Sequence, residues 1–289
     1  MEKYVQTSVF GVSSERLGEF NLYHDESGID LAHERFQLHG ILIIPQNKLT
    51  LLFNSLFIAR NGYPGQVHFV DLRDNTSSQM KTVAYAWLNL FFNEMIGYCS
   101  YKCLVVDTQA KYIEQFRKPN TYYLYNLSAK IAISGAIAWS LSNYDSVNLS
   151  IFSENRSRSR NDNFIEYIPR EILKKTGKNF PKIIIPDNEV ILVNGNPQRV
   201  IQEDRNHCEF IQLTDLITGA IRQAIVLSAG QKIKVDLGKL VSGWIIDSRL
   251  PPWLQIKDIH RKFSVSCFPG FYDVPLEVSN INQQNFGIF

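Results

Sequence analysis

The sequence predicts an α/β protein in which helices flank a mixed β-sheet. Three observations favour this class. Short apolar segments rich in β-branched residues recur along the chain, amphipathic segments with helical spacing separate them, and a long apolar helix closes the pattern. Apolar residues make up 45% of the 289 residues and charged residues 20%, which is the balance of an ordinary globular domain with a sizeable core.

Two strands are predicted near the amino terminus. Residues 20–24 alternate in polarity and run into the turn-forming residues 25–28, so a first strand should end there. Residues 36–44 form a second apolar segment that Pro45 ends. We expect the two strands to pair as an antiparallel hairpin across the loop 28–35.

The middle of the chain alternates between helical and extended segments. Apolar residues at helical spacing predict helices, whereas short β-branched segments predict strands. Pro169 lies inside one helical patch and indicates either a break or the start of a helix there. In chain order the predicted elements are a helix over 49–57, a short strand at 67–72, a helix over 83–95, a strand at 101–106, a helix over 121–141, a strand at 147–153, a helical patch over 162–175, and short strands at 182–185 and 190–193.

The last predicted element is a helix over residues 209–229 with a wide apolar face. The tail after Asp236 contains Pro251-Pro252 and has no clear periodicity, so it receives no assignment. We predict one domain over residues 1–289, with a core of about residues 18–230 and a carboxy-terminal extension of about residues 236–289.

Charge and cysteine content exclude several classes of protein. A net charge of +2 is too small to indicate nucleic-acid binding by overall basicity, so any such binding must come from local patches. No apolar targeting segment opens the chain, and the most apolar helical stretch, residues 131–141, is too short to cross a bilayer. Four cysteines without a C-x-x-C pair favour buried thiols over a zinc site or a disulfide scaffold. We therefore expect a soluble cytoplasmic protein with no membrane partner.

Four acidic residues stand in apolar surroundings. Asp25, Asp107 and Glu154 follow or end predicted strands, and Asp215 lies within the closing helix. Because buried carboxylates need neutralisation and strand ends are where sites are built, we expect these side chains to converge on a divalent metal. Their oxygens suit Mg²⁺ or Mn²⁺, which promote phosphodiester cleavage. Each strand-end acid could instead be a turn residue, and Asp215 could simply pair with Arg222.

The helix around Asp215 has a polar face. Gln212, Asp215, Gly219 and Arg222 are three or four residues apart, so they line one side of the helix. Glycine lowers helix propensity by about 1 kcal/mol, and Gly219 would allow another part of the chain to approach closely.

Two motifs resemble a known family. Residues 23–28, Tyr-His-Asp-Glu-Ser-Gly, and residues 212–220, Gln-Leu-Thr-Asp-Leu-Ile-Thr-Gly-Ala, are similar to the opening and closing motifs of domain-of-unknown-function family 3800. The resemblance covers about residues 20–222. It implies a ribonuclease H-like fold and a metal-dependent nuclease, in the setting of prokaryotic antiviral defence or mobile elements.

The resemblance also implies roles for individual residues. Asp25, Asp107 and Asp215 would bind the metal, with Glu26 as an added ligand. Asp25, Asp107, Asp215 and Glu154 would form the catalytic set, although Glu154 stands where the family more usually has Asp.

Five residues are candidates for contact with nucleic acid. A basic loop beside acidic residues suits a phosphate backbone, and a solvated loop explains it equally well. His68 could touch a phosphate or orient a water, and a structural histidine is the plainer interpretation. The five candidates are His68, Arg156, Arg158, Arg160 and Arg222.

The leading hypothesis is a Mg²⁺- or Mn²⁺-dependent nuclease that cuts DNA or RNA. The alternative is a catalytically silent nucleic-acid- or partner-binding module with the same fold. A third hypothesis is a toxin or scaffold that acts only with a partner protein from a neighbouring gene, for which the extension beyond Asp236 would be the docking element.

Overall fold

The central element of the fold is a mixed β-sheet with helices on both faces. The computed structural model describes residues 15–28, 34–116, 122–155, 162–178, 180–226, 230–249 and 261–268. Within these ranges the chain forms seven strands and seven helices, which confirms the predicted α/β class. The strands are β1 (Leu17–Ser27), β2 (Phe36–Pro45), β3 (Ser100–Asp107), β4 (Ser146–Glu154), β5 (Lys182–Ile184), β6 (Ile191–Val193) and β7 (Phe263–Phe268).

The helices divide between the two faces of the sheet. They are α1 (Leu49–Arg60), α2 (Ser78–Asn93), α3 (Lys111–Glu114), α4 (Tyr123–Ser140), α5 (Phe164–Leu173), α6 (Arg205–Val226) and α7 (Lys232–Arg249). One core lies between the sheet and the group α1, α2, α6 and α7. A second core lies between the opposite face and the pair α4 and α5. We call these two sides the α6 face and the α4 face.

The strand order places β1 in the middle of the sheet. The order is β5-β4-β1-β2-β3-β7, with β6 paired to β4. β2 runs antiparallel to both β1 and β3, whereas β4 runs parallel to β1 and β7 parallel to β3. The carboxyl ends of β1 and β4 therefore lie next to each other at one edge of the sheet.

Side chains of β1 alternate between the two cores. Tyr23 packs on the α6 face, where its ring centroid lies 5.1 Å from that of Phe210. His24 points to the α4 face, with its ring centroid 5.5 Å from that of Phe164. Because successive strand residues face opposite sides, Asp25 follows Tyr23 toward α6.

β1 is longer than the sequence predicts. Residues 25–28 have a turn-forming composition, yet residues 25–27 pair with residues 38–40 of β2. Pairing within the sheet overrides the local turn preference of these residues. The strand ends at Ser27, and the next residue, Gly28, has a φ of 77°, which suits glycine. A side chain at Gly28 would collide with the Phe36 carbonyl oxygen.

Two other predicted segments differ from the structure. Residues 67–72 form no strand, because they run along α6 and enter a 3₁₀ turn at Phe69–Asp71 instead of joining the sheet. The tail that received no assignment forms α7 and β7, and α7 buries Leu237 and Val241 in the core of the α6 face. This part of the extension is therefore packed into the fold rather than an exposed docking element.

Three smaller features bear on the sequence predictions. Pro169 lies inside α5, which neither breaks nor starts there. Cys99, Cys103 and Cys208 are buried thiols, and burial raises the pKa of Cys208 to about 11. None of the helices in the described ranges has the length and apolar character needed to cross a bilayer.

Candidate functional site

Asp25 and Glu154 lie side by side at the carboxyl ends of β1 and β4. The residues just before them are register partners in this parallel pair, so the two Cα atoms are level and about 5 Å apart. Both side chains point to the α6 face, because Tyr23 and Phe152, two residues earlier, stack there with ring centroids 5.1 Å apart. Asp25 is fully buried and Glu154 is half-buried.

Asp215 approaches this pair from the middle of α6. Its Oδ2 accepts a hydrogen bond of 2.6 Å from the backbone N–H of Phe69, and its Oδ1 lies 3.4 Å from His68 Nε2. Asp215 is only 8% exposed, so water screens these contacts little. Arg222 pairs with Glu34 instead, which removes the alternative of a simple Asp215–Arg222 pair.

The polar face of α6 holds residues 66–69 in place, and we call these residues the anchored segment. Gln212 Oε1 accepts a hydrogen bond of 2.6 Å from the Val67 N–H. Gly219 leaves room for the Phe69 ring, since a Cβ at this position would lie 2.2 Å from Phe69 Cγ. A close approach at Gly219 is therefore present, with a side chain rather than a backbone as the neighbour.

His68 connects the acidic residues electrostatically. Burial alone would lower the pKa of His68, but the hydrogen bond and charge of Asp215, with the charges of Glu154 and Asp25, raise it to about 9. His68 also lies 3.5 Å from Asp71 through Nδ1. At neutral pH His68 is therefore an imidazolium, and the three carboxylates share its surroundings.

Two residues that the sequence patterns did not single out border Glu154. A Cβ at Gly195 would lie 2.7 Å from Glu154 Oε1 and 3.0 Å from Gln66 Nε2, so the missing side chain at 195 makes room for both. The anchored segment therefore lies near Glu154 at its first residue, Gln66, and contacts Asp215 through His68. The one sequence signal was Gly195 between two asparagines, which alone predicts only a turn.

Asp107 does not join this site, contrary to the sequence prediction. Asp25 is level with Cys103 through the shared partner Gly40, and Asp107 lies four residues further along β3. Two strand spacings, about 10 Å, and a rise of about 13 Å therefore separate the two carboxylates. Asp107 instead accepts two hydrogen bonds from the Arg35 guanidinium, of 3.2 and 3.0 Å. It acts as an ion-paired residue at the strand end.

Glu26 lies on the opposite face of the sheet from Asp25. Its Oε1 accepts a hydrogen bond of 2.9 Å from the Tyr125 hydroxyl, and its Oε2 lies 3.8 Å from His24 Nδ1. His24 in turn contacts His39 at 3.0 Å. The structure therefore places Glu26 in a separate buried cluster, which does not support its predicted role as a ligand beside Asp25.

The predicted basic contacts fall into two groups. Arg156, Arg158 and Arg160 lie outside the described residues. Arg222 lies at the end of β1, where its Nε would be 3.3 Å from a Cβ at Gly28. It is one of the cations near the acidic site.

The acidic side chains near His68 offer the kind of ligand atom that binds a hard divalent cation. Asp25, Glu154 and Asp215 offer carboxylate oxygens, the ligands that Mg²⁺ and Mn²⁺ prefer. Among the described residues, no group of three or more His, Cys, Asp or Glu side chains is already arranged to hold a metal ion. The contacts of Asp215 give a physical reason, because its two oxygens engage Phe69 and His68. A bound cation would compete with His68 for Oδ1.

Neither a protein-family model nor a curated protein matches the chain. The two motifs that resemble family 3800 are nonetheless neighbours in space, since Asp25 of the first and Asp215 of the second both act on His68. Residues 190 positions apart in the sequence thus contribute to one site.

Proposed function

We propose that the chain is a metal-dependent nuclease that hydrolyses nucleic-acid phosphodiesters with Asp25, Glu154 and Asp215. The observation that carries this proposal is that Asp25 and Glu154 lie level at the ends of β1 and β4, with Asp215 of α6 near enough that all three act on the charge of His68. Buried carboxylates that lie close together repel one another unless cations neutralise them. A hard divalent cation answers this requirement, and once bound it can also accept oxygens of a polyanionic substrate. Following the resemblance to family 3800, the fold would be ribonuclease H-like and the setting prokaryotic antiviral defence or mobile elements.

Each residue has a distinct part in this proposal. Asp25 and Glu154 would hold Mg²⁺ or Mn²⁺ from the sheet, and Asp215 would hold it from α6. The cation, when bound, would supply activation of the attacking water and stabilisation of the leaving oxygen. His68 can donate a hydrogen bond from its ring to a phosphate oxygen.

A second candidate is a catalytically silent module that binds nucleic acid or a protein partner. The engagement of both Asp215 oxygens by the anchored segment favours it, because these contacts give Asp215 a structural role without any metal. Such a module would bind nucleic acid in the presence of Mn²⁺ and leave it intact.

Cleavage of labelled DNA and RNA in Mn²⁺, Mg²⁺ or EDTA tests the proposal. We expect Asp25→Asn and Glu154→Gln to lower the cleavage rate more than about 100-fold, beyond the 10–100-fold typical of residues that only support metal ligands. Asp107→Asn is the matched control, because this carboxylate lies apart from the site. It should keep its cleavage rate within about threefold of wild type per folded molecule.

A thermal measurement tests whether Asp25 helps to bind the cation. Saturating Mn²⁺ should raise the melting temperature of wild type and of Asp107→Asn, but not of Asp25→Asn, because a ligand that binds only the folded state adds about 2.7 kcal/mol at 100 times its Kd. Cleavage that persists in Asp25→Asn and Glu154→Gln would rule out this site. Mn²⁺ binding without cleavage of any substrate would favour the silent module.

A further inference from the structure

Lys234, in the first turn of α7, contacts the end of the anchored segment and the residue that follows it. Its ammonium donates a hydrogen bond of 3.0 Å to the Val70 carbonyl oxygen and lies 5.1 Å from the centroid of the Phe69 ring. Phe69 is also the residue whose N–H bonds to Asp215. Lys234 therefore lies against Phe69, the residue after His68, and within electrostatic reach of Asp215.

Two arginines lie within electrostatic reach of Lys234. Burial lowers the pKa of Lys234, and repulsion from Arg73 and Arg222 lowers it further, while Asp71 and Asp215 act in the opposite direction. Arg73 is exposed, and its guanidinium has no hydrogen-bond or ion-pair partner within the described ranges. We call Arg73, Lys234 and Arg222 the basic edge.

Hydrogen bonds hold the turn that contains Arg73 against the start of α7, which contains Lys234. The turn that follows the anchored segment docks on the start of α7, where Asp74 Oδ1 accepts a hydrogen bond of 3.2 Å from the Ile233 N–H. Asp74 itself donates its N–H to Gln231 Oε1 at 2.9 Å. Arg73 and Lys234 are therefore held near each other although like charges repel, and their two positive charges attract anions to this part of the surface.

We propose that the basic edge binds the phosphate backbone of the nucleic-acid strand next to the position that is cut. This inference rests on the proposed nuclease function, and it names residues that hold the substrate rather than the cation. An ammonium has three donors, and the Val70 carbonyl occupies one of those on Lys234, so donors remain for phosphate oxygens. Arg222 already pairs with Glu34, so Arg73 and Lys234 are the members of the basic edge with charge available to attract a polyanion.

Binding measured without catalysis tests this proposal. The double variant Arg73→Gln/Lys234→Gln and wild type are titrated against a fluorescent single-stranded oligonucleotide, as DNA and as RNA, in EDTA and at several salt concentrations. Each phosphate contact contributes about 0.7 to the slope of log K against log salt, so the double variant should lose about 1.4 from the slope. Its affinity should fall at least about tenfold at 0.1 M salt.

Two further variants make the result specific. Lys239→Gln removes an exposed charge from the same helix, about 140° round from Lys234, and should leave affinity and slope unchanged. Lys234→Arg keeps the charge and should restore most of the affinity. A merely structural role of Lys234 would lower the melting temperature of the double variant without changing the salt slope, and that outcome overturns the proposal.

The outcomes also separate this proposal from the nuclease function. Wild-type cleavage with Mn²⁺ together with unchanged binding by the double variant would overturn the basic edge and leave the nuclease function standing. Salt-dependent binding that the double variant loses, with no cleavage in any metal, would support the basic edge and overturn the nuclease function. Absence of both binding and cleavage in wild type would overturn both.

Discussion

Asp215 serves two neighbours with its two carboxylate oxygens. One oxygen fixes the backbone of the anchored segment at Phe69, and the other faces the imidazolium of His68. Hydrogen bonds to ionised groups are stronger than neutral ones, and more so where water is excluded. A change at Asp215 therefore alters both the position of the anchored segment and the charge state of His68.

The charge of His68 should make stability depend on alkaline pH. Its folded pKa of about 9 is above the unfolded value of about 6.5, so its stabilising contribution is complete below pH 6.5 and is lost as pH rises through 9. In EDTA, wild type should lose on the order of 2 kcal/mol of unfolding free energy more than His68→Gln between about pH 7 and 10. Urea denaturation at each pH measures this difference, and parallel curves for the two proteins would contradict it.

The site residues were predictable from sequence to different degrees. Asp25 and Asp215 could be predicted because each interrupts an apolar segment with a carboxylate, which is costly without a compensating role. Gln66 could not be predicted, because a glutamine in a polar loop has no signature of its own. Gln66 and Glu154 both lie in the space left by the missing side chain of Gly195, and the sequence does not show that these three residues are neighbours.

At the scale of elements, α6 acts as the support on which the anchored segment rests. Gln212 and Asp215 accept hydrogen bonds from the backbone N–H groups of Val67 and Phe69. In a strand, these N–H groups would pair with a neighbouring strand instead. The composition of residues 67–72 predicts such a strand. Their hydrogen bonds go to side chains of a helix instead, and no local pattern reveals that choice of partner.

Gly219 should be intolerant of any side chain. Gly219→Ala would place a Cβ against the Phe69 ring, and we expect a loss of about 1–3 kcal/mol of unfolding free energy as the anchored segment is displaced. Gly243→Ala in α7 is the matched control, because a Cβ there meets open space and should stabilise the helix by about 0.5–1 kcal/mol. Urea denaturation of both variants measures the two effects. Equal stabilisation by the two substitutions would show that Phe69 moves aside freely.

Arg60, the last residue of α1, joins distant parts of the fold, because it contacts α6 and the residues just before the anchored segment. Its guanidinium pairs with Glu209, donates to Gln212 Oε1 at 3.1 Å, and donates to the Tyr63 and Gly65 carbonyl oxygens. Arg60 is 2% exposed, so these partners, rather than water, must stabilise its charge.

Removal of Arg60 should therefore destabilise the protein strongly. Arg60→Met leaves the buried Glu209 with Arg205 as its remaining ion-pair partner in the described structure, and we expect a loss of about 3 kcal/mol or more in urea denaturation. The double variant Arg60→Met/Glu209→Gln should recover at least about 1 kcal/mol of this loss, because the buried carboxylate that lost one of its two partners is then neutral. An additive loss in the double variant would show that packing, not charge, determines the effect.

At the scale of the whole molecule, the lateral order of the strands explains why Asp107 does not lie beside the other predicted acidic residues. Asp107 and Glu154 both end apolar strands, and nothing in their local sequence tells which strand adjoins β1. Pairing over long sequence distances decides this, and it places β4 beside β1 with β2 between β1 and β3. The existence of strands and helices was therefore predictable from periodicity, whereas the neighbours of each strand were not.

The central position of β1 has a consequence for synthesis of the chain. Its acidic end is translated early, but β4 and α6 complete the surroundings only after residues 154 and 215 have been added. At about 5–20 residues per second, the 190 residues between Asp25 and Asp215 take about 10–40 s to synthesise. A ribosome-bound chain therefore cannot bring Asp25, Glu154 and Asp215 together until α6 has emerged.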